Sequence, residues 1–122
     1  MLDWTTGQPN AKYHAVQMLS SLGTGTKQLH STDLTGPGAA ASYALGMVVG
    51  GVRKLLLVSK SEHSQLFHVS NATNLTVAMV LDGSVDGATA SAEPGFLPPV
   101  MRPVRDDGVL RLGPWGFALL TF

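Results

Sequence analysis

Cysteine is absent from these 122 residues, which excludes a disulfide framework and a thiolate metal site. Its absence does not fix the compartment. Charge is scarce: 13% of the residues are Asp, Glu, Lys or Arg, against roughly 25% in a typical domain. With so few charges to cover it, part of the surface must be apolar, and a large exposed apolar patch marks a partner. Net charge is zero with the four His neutral, so nothing favours nucleic acid or an anionic membrane as partner. No apolar run approaches the roughly 20 residues that a membrane helix needs. The opening Met1-Leu2-Asp3-Trp4 lacks the basic-then-apolar order of a signal peptide.

Hydrophobic residues make up 44% of the chain, and its length suffices for one domain with a real core. Arg53 to Lys60 reads as the central strand. Leu55 and Leu57 point to one face, Leu56 and Val58 to the other, so both faces must be covered. Arg53, Lys54 and Lys60 mark where it leaves the core. Gly50-Gly51 forms a hairpin turn to the preceding run, Ser42 to Val49. Further strands are expected at Lys27–Leu34, Gln65–Ser70, Asn74–Leu81, Val100–Val104, Val109–Leu112 and Pro114–Phe122. Pro103 suits its strand to an edge. Asp82 to Pro99 reads as a long loop rich in Gly, Ala, Ser and Pro. The one helical pattern runs from Ala11 to Leu22. Ala11, Ala15, Met18 and Leu22 form its apolar stripe, Val16 and Leu19 widen it, His14, Gln17 and Ser21 lie opposite, and Gly23 stops it. The expected fold is mainly β: an antiparallel β-sandwich of seven or eight strands with one N-terminal α-helix.

No catalytic set stands out by spacing. His63 and His68 flank one turn and strand, and Glu62 beside His63 points to the opposite face, so no metal site and no cofactor are expected. His30 and Asp33, three apart on the expected first strand, do not share a face. Ser59, Ser61, Ser64 and Ser70 include no Gly-x-Ser-x-Gly elbow. Asp82, Asp86, Asp106 and Asp107 occupy turn contexts, where the carboxylate caps its own backbone; a calcium loop at 82–86 is the rarer alternative. Asn71-Ala72-Thr73 and Asn74-Leu75-Thr76 fit the glycosylation acceptor pattern. Trp4 is a candidate for stacking on a flat ligand such as a sugar ring, and His14 a weaker candidate for ligand contact.

Three stretches in order resemble one family. Asp3-Trp4-Thr5-Thr6-Gly7-Gln8-Pro9-Asn10-Ala11-Lys12-Tyr13 resembles the end of the catalytic barrel in (β/α)8 glycosidases of the heparanase, β-xylosidase and α-L-arabinofuranosidase type. Arg53-Lys54-Leu55-Leu56-Leu57-Val58-Ser59-Lys60 is similar to a strand of the C-terminal β-sandwich in those enzymes, and Leu112-Gly113-Pro114-Trp115-Gly116-Phe117-Ala118-Leu119 to their closing strand. The resemblance implies that residues 1–23 are a barrel remnant with its last helix, and 24–122 the sandwich. Retaining glycosidases need two carboxylates about 5–5.5 Å apart. In the resembled family these sit on barrel strands four and seven, whereas the likeness begins at about strand eight and does not include them. Only Trp4 matches a position that lines the sugar subsite.

The expected function is therefore a non-catalytic β-sandwich module of glycoside-hydrolase type, structural or carbohydrate-associated. Its expected partner is a (β/α)8 catalytic domain, or a second copy through the apolar helix face, with the alternative that the helix folds back on the sandwich. A different class stays open beside it: a small standalone hydrolase of esters, lactones or glycosides, with a His, Asp and Ser site at a subunit interface.

Overall fold

The computed structural model describes residues 11–70, 77–81, 100–104 and 107–122. Trp4, both glycosylation patterns and the 82–99 stretch with its possible calcium loop lie outside the described residues. The chain forms helix α1 (Ala11–Ser20) and eight strands: β1 (Lys27–His30), β2 (Ser42–Val49), β3 (Val52–Ser59), β4 (Gln65–His68), β5 (Val77–Leu81), β6 (Val100–Pro103), β7 (Val109–Leu112) and β8 (Phe117–Thr121). Six build one sheet in the order β1-β2-β3-β8-β5-β6, and β4 pairs with β7 in a second. Every pairing is antiparallel. This is the expected mainly β sandwich.

Local chemistry sets the frame. Val49 pairs with Val52 across Gly50-Gly51, whose φ values of 57° and 83° are those of a two-residue hairpin turn that only glycine adopts without strain. Pro103 ends β6, an edge strand, the place in a sheet where proline is tolerated. Strand β3 lies inside the large sheet, and Leu55, Leu56 and Leu57 are all buried. Toward the small sheet, Leu55 and Leu57 join Ala118 and Leu120 of β8 against Leu110 and Leu112 of β7. On the outer face, Leu56 packs with Met47 and Val49, and Leu119 with Met18 of the helix. Leu22 and Phe117 touch both outer groups. The helix therefore folds back on the sandwich and covers part of the second apolar face of the sheet, around Leu119, while Leu29 and Tyr43 on that face stay exposed.

The helix docks on the centre of its expected stripe, with Met18 buried and Ala15 and Leu22 packed beside it, but the edges of the buried face are shifted. His14, expected on the solvated face, is 5% exposed, while Val16 and Leu19, expected to widen the buried stripe, are 44% and 43% exposed. Residues four apart share a helical face, so docking Met18 on Leu119 carries both His14 and Leu22 toward the sheet. The Tyr13 ring meets His14 edge-on, with centroids 5.4 Å apart. Gly23, at φ 92°, ends the turn after the helix, and Lys54 Nζ donates to Ser21 O at 3.1 Å.

Candidate functional site

A sheet of two strands cannot cover a sheet of six. Strands β4 and β7 lie over the middle of the large sheet, and at the β1–β2–β3 end the inner face is only partly roofed. The inward row of β2 is Ala44, Gly46 and Val48, too small to fill the space left. The result is an open cleft of about 520 Å³ between the sheets, inside the range of about 300–1,000 Å³ usual for ligand sites. Leu57, Phe67 and Phe122 contribute apolar wall, and His30, Asp33 and Arg53 contribute polar groups.

Each of these residues is positioned by the register. Arg53 is expected at the strand's exit from the core, yet alternation keeps its side chain on the row of Leu55 and Leu57, facing inward. Opposite it, Phe122 N donates to Arg53 O at 3.0 Å, and the guanidinium lies over the Phe122 ring, 5.2 Å from its centroid. Cross-strand pairing and cation–π attraction thus hold one cation at the cleft. His30 pairs with Gly46 at the end of β1. Beyond it the chain turns across β2, where Gly46 N donates to Thr32 Oγ1 at 2.8 Å. A Cβ on Gly46 would stand 2.7 Å from that oxygen, so only glycine lets the connector come this close. The strand ends at His30, and the alternation argument that separated His30 from Asp33 therefore does not apply. Both line the same cleft.

The other sequence candidates have structural roles or stand apart. Ser59 is buried; its hydroxyl donates to Gln65 Oε1 at 3.1 Å, the same oxygen that accepts from Ser42 Oγ at 2.8 Å. These bonds tie β2 and β3 to β4, and they leave Ser59 no role as an exposed nucleophile. His63 and Glu62 approach at 3.8 Å, but both are more than three-quarters exposed, where ion pairs contribute little. No cluster of three His, Asp or Glu occurs among the described residues. Asp107 Oδ1 accepts from Val109 N at 3.1 Å, the expected turn cap. The described carboxylates Asp33, Glu62 and Asp107 are all exposed, and Asp33 alone lines the cleft.

One further residue escaped the sequence reading as a special position. Trp115 has φ 53°, a left-handed conformation rare for a large side chain, and the residue is 51% exposed. Its N–H donates to Ser61 O at 2.9 Å, and Ser59 N donates to Gly116 O at 2.7 Å, so the turn is bonded on both sides to β3 and its continuation.

The fold is thus a two-sheet antiparallel sandwich with a helix on its outer face. No family model matches the chain, and no curated protein matches it. Among solved structures the chain is similar to a GH30 endoxylanase from Clostridium papyrosolvens C71, with a TM-score of 0.59 and 10% sequence identity. The similarity covers 98% of this chain and therefore takes in the helix as well as both sheets. It covers 29% of the endoxylanase chain. At this identity the likeness is one of fold: this chain has the fold of a part of a glycoside hydrolase.

Proposed function

We propose that this chain is a non-catalytic β-sandwich module of glycoside-hydrolase type that serves a separate catalytic (β/α)8 body acting on a plant-type polysaccharide such as xylan. The observation that carries the reading is the coverage: nearly the whole chain corresponds in fold to under a third of an endoxylanase. One feature supports it. The helix offers an outward apolar surface, Tyr13, Val16 and Leu19, while its other side is already committed to the sheet. That surface suits a catalytic body packed against the helix, with residues 1–23 as the connecting element and 24–122 as the sandwich.

The test combines an assay with light scattering. The isolated chain is expected to release nothing from aryl glycosides, and to self-associate through the uncovered helix surface as its concentration rises. Changing Val16 and Leu19 together to Glu is expected to leave it monomeric and folded. Hydrolysis that disappears when this chain's own residues are changed overturns the reading.

A further inference from the structure

The geometry points to the inter-sheet cleft as a binding site for a neutral carbohydrate, one or more sugar rings seated between Phe67 and Phe122 and hydrogen-bonded by Asp33, Arg53 and His30. The site goes beyond the module reading, and only the preference for sugar over other neutral polyols rests on that reading.

The lining selects the ligand's chemistry. Sandwich interiors normally close with bulk, and here the β2 row Ala44–Gly46–Val48 withholds it while Gly46 admits the connector that makes the second wall. A charge on an inward-facing row is costly unless it is solvated or partnered. Arg53 stands at the exposed end of such a row, where water solvates it, and among the described residues no carboxylate forms an ion pair with it. Its guanidinium lies instead over the Phe122 ring, a contact that engages the face of the cation and leaves its N–H groups available to a ligand. Asp33 lines the same cleft and likewise has no described ion-pair partner. A free anion would be drawn by Arg53 and repelled by Asp33, and a free cation the reverse. A ligand whose neighbouring hydroxyls both donate and accept satisfies the carboxylate, the guanidinium and the imidazole together. Its C–H face meets the apolar wall of Leu57, Phe67 and Phe122. The open mouth lets a chain of several rings extend into solvent.

Amide shifts are measured by NMR while the full chain is titrated with neutral β-1,4-linked oligosaccharides of pentose and of hexose, and with a hexuronic acid as the charged comparison. Saturable shifts are expected at residues 30–33, 53, 67 and 122, with a dissociation constant between about 10 μM and about 10 mM. Asp33→Asn and Arg53→Gln, both at exposed positions, are each expected to weaken binding about tenfold or more. Their unfolding midpoints should stay at the parent value, which separates a lost contact from a lost fold. Shifts confined to Trp115 and Tyr43 overturn the cleft assignment. So does the absence of saturable binding by any neutral sugar at about 10 mM, the weak end of that range. Tighter binding of the uronic acid than of its neutral parent overturns the choice of ligand class. None of these outcomes touches the non-catalytic reading, which stands or falls on hydrolysis.

Discussion

Gly116 is a position where a single methyl group meets the buried core directly. Its φ is not in the left-handed region, so an alanine there meets no backbone objection. The objection is spatial. A Cβ would stand 2.4 Å from Leu112 Cγ, 2.7 Å from Leu112 Cδ1 and 2.8 Å from Gly113 O. Carbon pairs prefer about 3.5–4.0 Å, so the overlap exceeds an ångström. Leu112 cannot step aside, because it is fully buried among Leu55, Leu57, Leu110 and Leu120. Gly116→Ala is therefore expected to cost about 2–3 kcal/mol, the upper part of the overpacking range. With a urea slope of about 1–3 kcal/mol per molar, the midpoint should fall by roughly 1 M with the slope unchanged. Leu112→Ala alone should cost about 2–5 kcal/mol through the cavity it opens. In the double variant the new methyl group enters that cavity, so the two costs should sum to at least about 1 kcal/mol more than the double loses. The coupling is incomplete because Gly113 O remains in place. Gly50→Ala is the control: nothing lies within 4 Å of its Cβ, and only the φ of 57° is unfavourable, at about 1–2 kcal/mol. Far-UV circular dichroism against urea reads all four proteins without relying on Trp115, which neighbours the change. A Gly116→Ala loss under about 0.5 kcal/mol, or strict additivity with Leu112→Ala, would refute the reasoning.

Met18→Ala, which empties the helix side of the contact with Leu119, is expected to cost about 2–4 kcal/mol and to expose the 11–22 segment to protease before the sheets. A uniform loss of protection across the chain would count against a separately docked helix. Gln65→Ala removes the acceptor shared by Ser42 and Ser59 and should lower stability by about 1–3 kcal/mol, measured as a urea midpoint. A change within error would mean that solvent replaces the amide. A panel of ester, lactone and glycoside substrates is expected to give no turnover with the isolated chain. Turnover lost in a His30→Ala or Asp33→Asn variant would favour the small-hydrolase alternative.

Much of the sheet was legible because period-two alternation and glycine turns are local signals. Ser42–Val49 and Val109–Leu112 end where the sequence places them, the Gly50-Gly51 turn is set by φ alone, and Pro103 marks an edge. The centre of the helix stripe was legible and its width was not: Ala15, Met18 and Leu22 face the sheet as expected, but docking Met18 on Leu119, distant in sequence, also buries His14 and leaves Val16 and Leu19 outside. The cleft was hidden for a related reason. Ala44 and Gly46 read as the small side of an alternating strand, and whether small residues make a hollow depends on how many strands lie opposite. Arg53 read as a strand end because a charge usually is one; alternation sets its row, but that the row is left open there follows only from where the small sheet stops. Trp115 carried no signal, since nothing in Gly-Pro-Trp-Gly requires a positive φ at the tryptophan.

The strand order has a consequence for synthesis. Strand β8 sits between β3 and β5, so residues 117–121 form the seam that joins two halves made earlier. Until they leave the ribosome, the hairpin of β2 and β3 and the pair of β5 and β6 each present an unpaired inner edge, and that of β3 carries Leu55, Leu56 and Leu57. A nascent chain stalled before Phe117 therefore holds two open templates for wrong pairing, and a chaperone that shields β3 until the seam arrives would raise the yield of folded protein.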